Sequence, residues 1–241
     1  MKAVFVADAH IKGQDDPTQQ AFVELLTSFA SGPARADVVV LLGDIFDFLT
    51  NFKGYDFPQY KPALDAIKKL SDAGIKVFYA EGNHDFLLSP YITARTGAEA
   101  CPDTAAMDID GKRVLFCHGD VFDESVGYII LRGFLRSPLL RAIKRVLGPS
   151  AGVSMADFFS KKSGKAAAES KKYIKLDESF KRIAYELIGE KDVLVAAHTH
   201  VAGVVTVEKG GMKCIYANPG SFASERTFIW CDKGAYELKK F

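Results

Sequence analysis

Residues 75–85 read Ile75-Lys76-Val77-Phe78-Tyr79-Ala80-Glu81-Gly82-Asn83-His84-Asp85, an apolar run of strand length that passes directly into a polar cluster. Two earlier stretches repeat this pattern: Lys2 to Ala7 ends at Asp8, and Val38 to Leu42 ends at Gly43-Asp44. Helix-period segments separate them. Asp16-Pro17 reads as an N-cap with proline at the first helical position, followed by Phe22, Leu25, Leu26 and Phe29 and a stop at Gly32-Pro33. Leu64, Ile67 and Leu70 mark a second helix, with Gly74 as the residue just past its end. Continuous apolar runs joined by single helices predict a parallel sheet with βαβ crossovers. Ligands of such sheets gather at the carboxyl ends of the strands, which is where the polar clusters fall.

Further along, Ala106 to Cys117 reads as a hairpin around Asp110-Gly111, and its second strand ends at His118-Gly119-Asp120. Val193 to Ala197 is a short strand ending at His198-Thr199-His200. Four alternating tail segments (Val204 to Val207, Lys213 to Tyr216, Thr227 to Cys231, Ala235 to Leu238) predict an antiparallel second sheet. Between these regions, Ser125 to Glu190 is largely helical. One helix carries Ile129, Ile130, Phe134 and Leu135, another Leu139, Leu140, Ile143, Val146 and Leu147, and a third Ile174, Phe180, Ile183, Leu187 and Ile188.

The chain has 241 residues, and 48% hydrophobic with 12% aromatic content is ample for a core, so disorder is excluded. Its 31 Lys+Arg against 30 Asp+Glu give a net charge of +1, which taken whole argues against a generally basic binder. The four cysteines are scattered without a CxxC pair, as expected of reduced thiols in the cytoplasm. The opening residues reach Asp8 too soon for a signal peptide, and no stretch approaches the roughly 20 apolar residues of a spanning helix. The expectation is a soluble, cytoplasmic protein.

All five histidines (His10, His84, His118, His198 and His200) stand at the ends of predicted strands beside Asp, Asn or Gly. A single such histidine is usually a hydrogen-bonded structural residue; five in equivalent places are not. Imidazole, carboxylate and amide oxygen without thiolate suit manganese, iron or zinc. Seven candidate ligands (Asp8, His10, Asp44, Asn83, His118, His198, His200) exceed what one tetrahedral zinc needs and fit two ions sharing a carboxylate. Such a pair, roughly 3.5–4 Å apart, can neutralise the attacking and leaving oxygens of a phosphoryl centre. Gly43, Gly82 and Gly119 are expected to allow sharp turns and leave room for a phosphate.

The order Asp8-Ala9-His10, Gly43-Asp44, Gly82-Asn83-His84-Asp85, His118-Gly119-Asp120 and Ala197-His198-Thr199-His200 resembles that of the calcineurin-like metallophosphoesterases. Their motifs run DxH, GD, GNHD, HGD and GHTH, and the one departure is Ala197 where glycine is usual. The resemblance spans nearly the whole chain. It implies an α/β fold, a four-layer α/β/β/α sandwich of two mixed sheets, as one domain over residues 1–241 with a helical cap inserted at 122–190. It also implies one metal ion held by Asp8, His10, Asp44 and His200 and a second by Asp44, Asn83, His118 and His198, with Asp44 as bridge and manganese as the ion expected. Asn83, His84 and Asp85 are then the catalytic residues. Asp85 either orients His84 or forms the turn, and Asp120 either anchors His118 or forms its own turn.

Substrate choice is expected to lie in the insertion. Residues 132–182 hold 13 Lys+Arg and 4 Asp+Glu, a local balance of +9, leaving 18 basic and 26 acidic residues, or −8, elsewhere. Phe134 to Gly148 mixes basic with bulky apolar residues. Basic amphipathic segments favour anionic interfaces, so peripheral contact with an anionic membrane, at the inner membrane surface, is a further expectation. Asp123, Tyr128, Arg132 and the run Leu135 to Leu139 resemble the UDP-2,3-diacylglucosamine diphosphatases of lipid A synthesis. That resemblance implies a lipid-linked nucleotide substrate cleaved to UMP and 2,3-diacylglucosamine 1-phosphate. Asn83, His84, Tyr128, Arg132, Lys161, Lys162 and Lys165 would bind it.

Well-known members of that branch carry Arg where this chain has His84. A sugar phosphate, with a second pKa of about 6, leaves without a proton. An alkoxide needs a general acid, a role that suits imidazole. His84 therefore keeps nucleotide or nucleic-acid phosphodiesters open as the alternative. Stacking aromatics among the basic residues are sparse (Phe134, Phe158, Phe159, Tyr173), so nucleic acid ranks lower. A non-catalytic metal-bound scaffold ranks last, because all seven ligand residues are present.

Overall fold

The computed structural model describes residues 1–52, 55–140, 142 and 166–241. Strands β1 (Lys2–Val6), β2 (Val38–Leu41) and β3 (Lys76–Ala80) lie parallel, with Val4 opposite Val39 and Val40 opposite Phe78. Helices α1 (Pro17–Ala30) and α2 (Lys61–Asp72) make the crossovers. The Asp16 carboxylate accepts a hydrogen bond from Thr18 N and starts α1 as the sequence predicts. After α3 (Ser89–Thr96), β4 (Glu99–Cys101) adds a fourth parallel strand.

Alternation along β1 builds the layers. Val4 and Val6 pack with Phe22, Leu25 and Leu26 of α1 and with Leu64 and Ile67 of α2. Ala3, Phe5 and Ala7 face the other way, toward Val114, Phe116 and Val195 of the second sheet. Both strand faces are buried, which is why the sequence shows continuous rather than alternating apolar runs.

The second sheet runs in the order β5 (Thr104–Ile109), β6 (Lys112–Cys117), β7 (Val193–Ala196), β9 (Met212–Asn218), β8 (Gly203–Lys209). β6, β7 and β9 are parallel, with antiparallel strands at each edge. Helix α5 (Ala166–Glu186) covers its outer face, setting Phe180 and Ala184 against Cys117, Leu194, Ala196 and Tyr216. The layers are thus helices, sheet, sheet and helix, and α5, read as part of a cap, is itself the fourth layer.

The tail strands do not form an antiparallel sheet of their own. β8 and β9 join the second sheet, whereas β10 (Thr227–Asp232) and β11 (Ala235–Lys240) return to the first, which is ordered β11-β10-β1-β2-β3-β4. β10 runs antiparallel to β1 and pairs the edge that the crossovers leave open. Both sheets are therefore mixed. The insertion also contributes α4 (Val126–Leu135). Ile143, Val146, Leu147, Phe158, Phe159, Lys161, Lys162 and Lys165 lie outside the described residues. The four cysteines are free and buried. No helix among the described residues is long and apolar enough to cross a membrane.

Candidate metal centre

The ends of β1, β2, β3, β6 and β7 converge at one edge of the sandwich, and the turns that follow them carry the polar clusters. Asp8, His10, Asp44, His198 and His200 all have positive φ, from 43° to 67°. Non-glycine residues pay for that region, and such strain persists only where the surroundings hold it. Cross-loop hydrogen bonds do so here: Asp8 N to Gly43 O at 3.2 Å and His10 N to Asp44 O at 2.9 Å.

All seven expected ligands come together, in two groups that share Asp44. In the first, His200 Nε2 is 3.3 Å and His10 Nε2 3.8 Å from Asp8 Oδ1, and His10 Nε2 is 4.0 Å from Asp44 Oδ2. In the second, His118 Nε2 lies 3.5 Å from Asp44 Oδ2, 3.2 Å from Asn83 Oδ1 and 3.2 Å from His198 Nδ1. His84 Nε2 is 4.0 Å from Asp44 Oδ2, at the open side.

The donor set fits divalent cations. His118 Nδ1 is 2.8 Å from the Leu42 carbonyl and donates to it, so Nε2 is the nitrogen turned to the centre. It faces a carboxylate oxygen, an amide oxygen and a second imidazole nitrogen, a donor set that a divalent cation would take up in place of a proton. In the other group, buried Asp8 Oδ1 has no hydrogen-bond donor. Three clusters (Asp8, His10 and His200; His10, Asp44 and His84; Asp8, Asp44 and His118) each bring their ligand atoms within 4.8 Å of one another.

Electrostatics run the same way. Burial works against the Asp44 carboxylate, but His118, His84 and His10 outweigh it and hold the group well below the usual carboxylate range. Asp8 is lowered likewise, with burial opposed by His200 and His118. Burial, then the charge of His118, pushes His198 down to about 4, keeping its imidazole in the neutral form that ligates metals. For His84, burial is outweighed by Asp44 and by the Asp47 carbonyl, 2.8 Å from Nδ1, and its pKa rises.

Several residues act differently from their sequence reading. Asp85 neither faces the cleft nor contacts the His84 ring. It is fully buried, and its oxygens accept from Asp44 N at 3.0 Å, Ile45 N and Gly82 N at 2.8 Å, and Tyr79 OH at 2.5 Å. It ties the second and third turns together, and burial followed by the charge of Asp44 raises its carboxyl to about 7. Asp120 does not reach for His118. It accepts from Tyr128 OH at 3.0 Å and pairs with Arg132 Nε at 2.9 Å, which anchors α4. The Arg132 guanidinium is further bonded to Asp103. Tyr128 still places its ring 5.6 Å from that of His198. Gly82 does not open space for a phosphate: a Cβ there would lie 2.1 Å from Asp44 Oδ1, so it lets two loops meet.

The cleft over these residues has a volume of about 500 Å³ and is also lined by Lys12, Asp47 and Tyr173. The sequence reading missed Lys12 and Asp47, which stand near motifs without belonging to one. It also missed Asp177, whose buried network reaches Thr199, because an Asp-Glu pair in a basic helix reads as surface.

Two groups of imidazole, amide and carboxylate ligands that share one carboxylate, on an α/β/β/α frame, define a metal-dependent phosphohydrolase. The chain belongs to the calcineurin-like phosphoesterase family, whose model matches residues 1–202. It is 27% identical over 258 residues to the UDP-2,3-diacylglucosamine hydrolase of Stenotrophomonas maltophilia, covering 99% of this chain and 98% of that one. The enzyme of the same name from an Enterobacter species is 26% identical over 247 residues, covering 100% and 99%. A solved archaeal phosphodiesterase aligns over 100% of both chains with a TM-score of 0.50 and 15% identity, a likeness of fold.

Proposed function

We propose that this hydrolase cleaves the diphosphate of UDP-2,3-diacylglucosamine, giving UMP and 2,3-diacylglucosamine 1-phosphate. The observation that carries the lipid half of this reading is the inverted face of α4. Tyr128, Arg132 and Leu135 turn toward the body, while Val126 (73% exposed), Ile129, Ile130 (67%) and Phe134 face outward. A helix beside a phosphohydrolase centre that shows isoleucine and phenylalanine to solvent suits an acylated substrate and an anionic membrane surface. The names of the relatives point the same way.

Asp8, His10, Asp44 and His200 would hold one divalent ion and Asp44, Asn83, His118 and His198 the other, with manganese the preferred ion. Bound there, such ions neutralise phosphoryl oxygens and lower the pKa of water. The water oxygen joins the uridine-side phosphorus, and the bridging oxygen leaves with the sugar phosphate. His84 is oriented through Nδ1, which donates to the Asp47 carbonyl, and in its protonated form it would also donate from Nε2 to the departing phosphate. Tyr128 and Arg132, fixed on Asp120, form the substrate wall beside His198. Lys161, Lys162 and Lys165 complete the proposal as phosphate contacts.

His84 also favours a second reading, in which it protonates an alkoxide leaving group of a nucleotide phosphodiester. One assay separates the two. Purified protein with Mn²⁺ should release UMP from UDP-2,3-diacylglucosamine, followed by mass spectrometry. If it leaves that lipid intact but cleaves bis-p-nitrophenyl phosphate, the lipid assignment fails.

A further inference from the structure

We propose that Asp177 on α5 is a positioning residue of the metal centre, acting through Thr199. The inference rests on the reading of His198 and His200 as ligands. Asp177 is 2% exposed, and its Oδ1 accepts from Thr199 Oγ1 at 3.0 Å and from Tyr216 OH at 2.6 Å. Its Oδ2 pairs with Lys181 Nζ one turn along the helix, at 3.2 Å.

Thr199 is the residue between the two histidines, and both of those hold positive φ. Its hydroxyl has one hydrogen, given to Asp177, and accepts in turn from Asn218 Nδ2 at 2.8 Å. Asn218 Oδ1 then takes the Gly220 N–H at 2.9 Å, and the next residue, Ser221, donates from Oγ to the Asp8 carbonyl at 3.2 Å. One network therefore joins α5 to the turns carrying His198, His200 and Asp8. Left-handed backbone at two ligands is costly, and a buried carboxylate fixing the residue between them supplies the restraint.

The rest of the same helix face supports this placement. Tyr173, four residues before Asp177, sets its ring 5.6 Å from His200 and 6.0 Å from His198. Phe180, three residues after, packs so close to Gly119 that a Cβ there would lie 2.8 Å from its ring, beside His118. Positions 173, 177 and 180 form one stripe of the helix. The insertion thus ends in a helix whose inner stripe is built into the metal centre, so ligand geometry and seating of α5 are one event.

The test is calorimetric titration of Mn²⁺ into chelator-treated full-length protein, with circular dichroism to confirm folding. Asp177→Ala should weaken Mn²⁺ binding about 10–100-fold, the usual cost of losing a group that orients a ligand. Asp177→Asn, which keeps the acceptor for Thr199, should stay within about 3-fold of wild type. Should Asp177→Ala fail to fold, Thr199→Val breaks the same link from the turn and should weaken binding comparably. Wild-type affinity in a folded Asp177→Ala or Thr199→Val protein would overturn the proposal. A wild-type protein that binds no Mn²⁺ would instead overturn the reading of the site itself.

Discussion

Arg132 Nε lies 2.9 Å from Asp120 Oδ2, so the first basic residue of the charge-rich insertion is spent on a carboxylate of the body. Arg136 likewise reaches Glu81 at 3.4 Å, whereas Lys172 pairs with Asp123 at 3.0 Å within the insertion. Part of the +9 against −8 segregation is therefore internal: it clamps the insertion to the sandwich beside the site. Asp120 is 4% exposed, and removing its partner strands a buried charge. Arg132→Ala should lower stability by about 1–3 kcal/mol, reduced from the fully buried case because the arginine is partly exposed. Urea unfolding measures this, and Asp120→Asn in the same protein should recover part of the loss.

Asp44 stands in both ligand groups, 3.5 Å from His118 and 4.0 Å from His10. Asp44→Ala should abolish hydrolysis, with a fall of at least about 10³-fold expected for a bridging ligand. Metal analysis after dialysis should show less than the wild-type complement. Full activity in a folded Asp44→Ala protein would remove the shared-carboxylate arrangement.

The legible parts of this molecule are those where local pattern and tertiary role coincide. β1 to β3 are buried on both faces, so their apolar runs are continuous and their ends are marked by polar residues. β10 carries the continuous apolar run Phe228 to Cys231, yet nothing local tells which sheet edge it will pair; the open edge of β1 decides. Asp85 sits inside a motif and reads as chemistry, yet its carboxylate is consumed by three backbone N–H groups and a tyrosine. α4 shows the inverse problem. Its apolar spacing is that of a core helix, but of its aliphatic side chains only Leu135 is buried, and Ile129, Ile130 and Phe134 stay exposed.

That exposed face supplies its own test. Ile129→Glu combined with Ile130→Glu removes two side chains worth about 1.5–3 kcal/mol each when buried in an apolar phase. Binding to phosphatidylglycerol vesicles should fall at least about 10-fold by sedimentation, as should turnover of the lipid nucleotide. Turnover of a water-soluble nitrophenyl ester should not change. Equal losses on both substrates would mean that the face serves folding.

At the base of the second sheet, Asp192 accepts from Arg113 N at 2.7 Å and from its guanidinium at 3.1 Å. These contacts, the Arg113 guanidinium first, hold its pKa below the usual carboxylate range. With the folded value lower than the unfolded one, the pair stabilises above the unfolded pKa, and the contribution disappears as pH falls through the folded one. The pair is partly exposed, so Asp192→Asn should cost under about 1 kcal/mol at neutral pH. The difference from wild type should close in strong acid, read from unfolding curves at a series of pH values. A difference that persists there would assign the effect to packing.

Gly82 gives the most local test of the centre. Its φ is not in the left-handed region, so alanine there meets no backbone penalty; the obstacle is contact alone. A Cβ would lie 2.1 Å from Asp44 Oδ1 and 2.6 Å from Asp44 N, and the backbone cannot yield because Asp85 ties Gly82 N to Asp44 N. The carboxylate must therefore turn away. Gly82→Ala should cost about 1–3 kcal/mol of stability from overpacking and weaken Mn²⁺ binding at least about 10-fold. Gly13→Ala, where a Cβ meets nothing within 4 Å, is the control and should change neither. Asp44 Oδ1 accepts from His84 N at 2.8 Å and Oδ2 faces the histidines, so unaltered Mn²⁺ affinity in folded Gly82→Ala protein would show that the seat of this carboxylate does not set cation binding.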